Sequence, residues 1–158
     1  MQFKNILVPY DDSDHAKNAL SCALGMVGDN PAAKIHVVMI LSMDVVPTSA
    51  LSSGGPYVGQ YASMGMDNYD RFVDSMCENA RADFAAEARA LVDGADCQVC
   101  IKAVADSSPV DGILHYVEDN NCDLVVMGRR GLGALRGMLG SVSFGVLRSV
   151  DVPVLTVK

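Results

Sequence analysis

The chain has 158 residues, half hydrophobic and a fifth charged, enough for one domain with a full apolar core. Its 19 acidic residues against 12 basic ones leave a net charge of −7, which argues against general nucleic-acid binding and against an anionic membrane surface. No apolar run reaches bilayer length and MQFKNILVPYDD lacks a signal-peptide pattern, so a cytoplasmic location is the expectation.

Phe3 to Val8 reads as a strand, followed by Pro9-Tyr10-Asp11-Asp12-Ser13. Asp12 or Ser13 can cap the next helix, whose stripe runs through Ala16, Ala19, Leu20, Ala23, Leu24 and Val27. Asp12 is read as a cap. Asp11 is read evenly as a cap or as a carboxylate facing a ligand beyond the strand end. Asn30-Pro31 closes this unit, and Lys34 to Leu41 (KIHVVMIL) is a second, nearly continuous apolar strand. Strand, helix and strand with both strands apolar is the pattern of a parallel sheet covered on both faces.

Ser42 to Met66, rich in Ser, Gly and Pro, reads as a long flexible loop or lid. A helix from about Asp67 to Val92 follows, and then a third strand over about Gln98 to Val104. Asp106-Ser107-Ser108-Pro109 opens a third helix with proline near its first position. Leu124 to Met127 is a short buried strand, the run SVSFGVLRSV a short helix, and Val152 to Val157 a last strand. The order β-α-β-α-β-α-β-α-β predicts one α/β domain over 1–158: a doubly wound five-stranded parallel sheet with helices on both faces.

The segment DLVVMGRRGLGALRGMLGSVS (Asp123 to Ser143) carries the strongest functional signal. Gly128, Gly131, Gly133, Gly137, Gly140 and Gly145 are joined by Arg129, Arg130, Arg136 and Arg148, with no Asp or Glu between Asp123 and Asp151. A strand, a glycine loop cleared of carboxylates and a helix start make an expected anion site.

Other chemistry is thin. There is no Walker-type loop, and Gly131-Leu132-Gly133 leads to Arg136 where a dinucleotide fingerprint needs glycine. No Gly-x-Ser-x-Gly elbow occurs. His15, His36 and His115 lie on a helix, a strand and a helix, and are read as structural or exposed. Cys97 and Cys100 form a Cys-x-x-Cys inside DCQVCIKAVA, with no second pair and no nearby histidine, so buried thiols are expected rather than a metal or redox site.

ILVPYDDSDHAKNAL, the Asp-x-x-Pro helix entry, DLVVMGRRGLGALRGMLGSVS and the terminal VPVLTVK together resemble the universal stress protein family, over nearly the whole chain outside Ser42–Met66. The resemblance implies a Rossmann-like fold of the adenine nucleotide alpha hydrolase-like kind. In the family's nucleotide-binding branch a Gly, two residues, Gly, nine residues and Gly-Ser/Thr cradle the phosphates. Here Gly128, Gly131 and Gly140-Ser141 match, but Leu132 to Leu139 is eight residues. Glycines at 133 and 137 give the backbone freedom to absorb the difference, so binding is expected to survive.

Carried over, the resemblance implies that Pro9, Tyr10 and Asp11 lie along adenine and ribose, and that Ile40 offers backbone groups to adenine. Met127 and Gly128 would contact ribose, Arg130 and Gly131 would approach the phosphates, and Gly140, Ser141, Val142 and Ser143 would hold phosphate oxygens. The ligand would be ATP (or ADP or AMP), with Mg2+ an open question, and a homodimer would form through the last strand. With no base or nucleophile in a catalytic motif, efficient hydrolysis is not expected; slow turnover or autophosphorylation on Ser141 or Ser143 is the upper limit. The function expected is that of a stress-response sensor or regulator. A second reading is a dimeric stress protein that binds protein partners and not ATP. A third is an enzyme that closes the Ser42–Met66 loop over its site.

Overall fold

The computed structural model describes residues 3–43, 66–132 and 139–158. Strands β1 (Asn5–Pro9), β2 (Lys34–Ser42), β3 (Gln98–Asp106), β4 (Leu124–Gly128) and β5 (Val154–Val157) alternate with helices α1 (Asp14–Val27), α2 (Met66–Val92), α3 (Pro109–Asp119) and α4 (Ser141–Ser149). The strands form one parallel sheet in the order β3-β2-β1-β4-β5. The expected sequence of elements and the doubly wound sheet are both present. The loop expected over 42–66 falls mostly outside the described residues: β2 runs on to Ser42, and α2 starts at Met66.

The period of two along the strands divides the core. Ile6, Val8, Ile35, Val37, Leu124 and Val126 face α1 and α2, where Leu20, Ala23, Phe84 and Ala88 meet them. Leu7, Val38, Val125 and Met127 face the opposite side, against Ile113, Tyr116 and Val117 of α3 and Val146 of α4. Each fully buried Val, Leu or Ile among them contributes about 1.5–3 kcal/mol relative to exposure. Both faces are therefore apolar, which is why the central strands read as continuous runs rather than alternating ones.

Local signals start the helices. Ser13 caps α1, its Oγ accepting from the Ala16 N–H at 3.2 Å, and Ser108 caps α3 ahead of Pro109. The expectation that Asp12 caps α1 is corrected. Asp12 sits in the left-handed region at φ 63°, and its carboxylate turns to Lys17 at 3.1 Å. Ser13 has the extended backbone a cap needs, and its hydroxyl is one residue closer to the first turn.

The thiols are free: Cys97 and Cys122 are buried, whereas Cys22, Cys77 and Cys100 are half-buried. Cys97 stands one residue before β3 and not within it. Among the described residues no group of three or more His, Cys, Asp or Glu is placed to hold a metal ion, and no helix is long and apolar enough to cross a membrane.

Candidate functional site

In the order β3-β2-β1-β4-β5, β1 connects to β2 on one side and lies against β4 on the other. The connections leaving β1 and β4 thus part company, and a crevice opens beyond their carboxyl ends. It holds a cavity of about 620 Å³, within the usual range for a small-molecule site.

Four segments supply most of its walls. The end of β1 supplies Pro9, Tyr10 and Asp11, and the end of β2 supplies Val38 and Ile40. The end of β4 and the loop after it supply Met127, Gly128, Arg130, Gly131 and Leu132. Leu139, Gly140, Ser141, Val142 and Ser143 close the far side at the start of α4. All twelve residues singled out in the sequence line this one cavity. Ala16, Val38, Pro109, Ile113, Leu132 and Leu139 line it as well and were missed. Pro109 and Ile113 come from α3, whose proline start beside the β3 end was the available clue; the others carry only apolar side chains indistinguishable in sequence from core.

Backbone packing fixes the geometry on the glycine-loop side of the cavity. The Gly140 N–H donates to the Arg129 carbonyl at 3.0 Å, which draws the two ends of the glycine loop together. Gly140 therefore cannot offer that N–H to a ligand, contrary to the role the resemblance implied for it. The Ser143 hydroxyl is buried and donates to the Gly128 carbonyl at 2.9 Å, which removes it as a phosphate acceptor. Ser141 is exposed. What remains toward the cavity is the uncapped first turn of α4: no side chain caps Gly140, and the helix itself cannot satisfy the N–H groups of Ser141, Val142 and Ser143. With the helix dipole, these donors favour an anion. Residues 133–138, including Gly133, Arg136 and Gly137, lie outside the described residues.

On the opposite wall, Asp11 Oδ1 accepts from the Ser13 hydroxyl at 2.6 Å and from its N–H at 3.2 Å. Asp11 therefore does not itself cap α1: it braces the capping serine, and it lines the cavity. Its other oxygen approaches Gly131 so closely that a Cβ there would collide with it. Tyr10 is buried and stacks on Phe84 at 5.6 Å between centroids; burial, then the nearby Asp12 carboxylate, pushes its phenol up to about 12. It stays a neutral wall at any physiological pH.

Of the histidines, His115 is exposed on α3, 2.8 Å from Asp106 Oδ2; that hydrogen bond raises the imidazole and lowers the carboxyl. His36 lies buried in β2, bonded through Nδ1 to the Tyr116 hydroxyl at 3.0 Å. Neither histidine lines the cavity.

A model described as the universal stress protein family matches residues 2–158. A universal stress protein from Thermus aquaticus is 31% identical over 157 residues, covering 99% of each chain. Among solved structures, that of hypothetical protein MJ0577 superimposes with a TM-score of 0.74 at 20% identity, covering 100% of this chain and 97% of the other. A universal stress protein in complex with cAMP gives 0.59 at 20% identity, covering 99% and 98%. One from Archaeoglobus fulgidus in complex with dAMP gives 0.56 at 19% identity, covering 100% of both. At these identities the solved structures speak to the fold alone.

Proposed function

The chain belongs to the universal stress protein family, and from that premise we propose that its strand-end cavity binds ATP or another adenine nucleotide as the sensing step of a cytoplasmic stress-response regulator. The observation that carries this reading is the convergence of Asp11, Ile40, Gly131, Arg130 and the bare first turn of α4 on one cavity. The apolar end, walled by Val38, Ile40 and Ile113, suits a purine ring. The other end pairs arginine with unsatisfied N–H donors and suits phosphate. That two proteins of this fold were solved with cAMP and dAMP supports adenine as the base.

The described lining contains one carboxylate, Asp11, already committed to Ser13, and no histidine or cysteine. Among the described residues no lining group is thus free to act as general base, so the activity proposed is binding rather than turnover, with Ser141 exposed at the helix start. Asp11 is also the one carboxylate in the described lining, so any Mg2+ would be held mainly by the phosphates. The test is to denature the protein as purified and identify the released small molecules by mass. Stoichiometric ATP, ADP or AMP is the expected result; a protein that is empty and then gives no heat with millimolar ATP would overturn the assignment.

The specific observation favouring the second reading, a partner-binding protein without ATP, is the eight-residue spacing from Leu132 to Leu139. A flat titration would bring it forward.

The homodimer belongs to the same proposal. β5 is an edge strand, and Leu155 stands exposed on it. An unpaired parallel edge invites a second strand. The wild type should sediment as a dimer, and Leu155→Lys as a monomer with its cavity intact. A monomeric wild type at high micromolar concentration would contradict this.

A further inference from the structure

Asp12 poses a question the binding reading leaves unanswered. A non-glycine residue in the left-handed region is disfavoured by roughly 1–2 kcal/mol, unless local bonds hold it there. Asp12 occupies that region at φ 63°, one residue after the cavity carboxylate. Two donors converge on its Oδ1: the Tyr10 hydroxyl at 3.3 Å and Lys17 Nζ at 3.1 Å. Lys17 simultaneously reaches Glu87 Oε2 on α2 at 3.1 Å. Three residues earlier on α2, Phe84 stacks on the Tyr10 ring. Positions 84 and 87 share one helix face, so α2 grips the Tyr10-Asp11-Asp12 segment twice, by a ring and by a charge.

We infer that Lys17 is a positioning residue that couples α2 to the ligand cavity. By bridging Asp12 to Glu87 it holds the left-handed turn, and the turn aims the Asp11 carboxylate at Gly131. Lys17 does not line the cavity. Its effect on a ligand passes through Asp12 and Asp11, and the same path carries the ligand's effect back to α2. This rests on the nucleotide reading for its ligand but not for its geometry. Coupling between two sites is reciprocal, so whatever factor α2 imposes on ligand affinity, the ligand must impose on α2. A chain built this way can report an occupied cavity on the outer face of a long helix.

The bridge is partly exposed, with Lys17 33% and Glu87 58% accessible, so its effect should have the size of an exposed ion pair. Lys17→Met is therefore expected to weaken Mg-ATP binding about two- to five-fold in low salt, with Glu87→Gln doing less. Lys17→Arg should restore affinity, and the difference between Lys17→Met and wild type should vanish in about 1 M salt, where the Debye length is ~3 Å. A purely structural role would survive high salt. In an Asp12→Gly background the turn no longer needs holding, so Lys17→Met should change affinity little. In hydrogen exchange, Mg-ATP should raise protection in the C-terminal half of α2 in the wild type and fail to do so in Lys17→Met.

A readout without ligand separates the two claims. The amide resonances of Asp11 and Gly131 in the empty protein should move in Lys17→Met and stay put in Asp12→Gly/Lys17→Met relative to Asp12→Gly. If they move but the wild type binds no nucleotide, the positioning stands and the nucleotide reading falls. If the wild type binds and neither resonances nor affinity respond to Lys17→Met, the coupling is overturned.

Discussion

Replacing Gly140 by valine is expected to abolish nucleotide binding while the fold survives. The backbone at Gly140 has φ −65° and ψ 152°, which any residue adopts, so the substitution carries no torsional penalty. Its Cβ, however, would come within 3.2 Å of Arg130 Cα and 3.5 Å of the Arg129 carbonyl, and the two valine methyls lie beyond that. The N–H bond from Gly140 to Arg129 is what draws the loop after β4 against the start of α4. Prising these apart moves Arg130 away from the N–H groups of Ser141 and Val142. Charge-assisted bonds contribute about 1.5–3 kcal/mol each, so losing two weakens binding by about a hundred-fold or more. Gly131→Val should act from the other side, by driving the Asp11 carboxylate off its Ser13 bonds. Circular dichroism should show native helix and strand content in both variants, with no saturable ATP binding by calorimetry. Wild-type affinity in Gly140→Val would remove the first turn of α4 from the site.

The second large effect concerns stability and acid. His36 is 2% exposed, and burial, then the charges of Lys34 and Lys102, depress its imidazole to about 4 from an ordinary 6.5. The folded protein keeps His36 neutral, while the unfolded chain takes up a proton as pH falls below about 6.5. The unfolded state thus binds more protons across that window, and stability is lost progressively from pH 6.5 down to about 4. Below that both states are protonated and the loss stops. At 1.36 kcal/mol per unit, the window is worth about 3 kcal/mol, to order of magnitude. Nε2 makes no hydrogen bond, so the pair with Tyr116 is only half satisfied already. The double variant His36→Leu/Tyr116→Phe fills similar volume and leaves no orphan hydroxyl. Urea unfolding of both proteins at pH 7, 6, 5 and 4 should show the wild type falling behind the variant by about that amount. Parallel curves would mean that His36 is hydrated and titrates normally.

Much of this was legible in the sequence because the relevant signals are local or periodic. The apolar runs of β1, β2 and β4 announce strands buried on both faces, and Ser108-Pro109 announces a helix start. The glycine-arginine segment drew attention to the loop that lines the cavity because carboxylates are missing from it in an acidic chain. What stayed hidden depends on long-range packing. No pattern in DDSD reveals that Asp12 leaves the cap to Ser13, because the reason lies in Lys17 and in Glu87 seventy-odd residues away. The commitment of the Gly140 N–H and the Ser143 hydroxyl to backbone carbonyls of the same loop is likewise set by closure of β4 against α4. Val38 and Ile113 read as core because they are core, with one edge facing the cavity.

Adenine-nucleotide binding is the proposed activity of the cavity beyond β1 and β4. Its most direct test is a calorimetric titration of nucleotide-free protein with ATP, with and without Mg2+, while following the amide resonances of Gly131, Ser141 and Val142. Saturable binding with those amides among the most shifted is the result predicted. Binding that leaves them unmoved, or no binding at millimolar ATP, would contradict it.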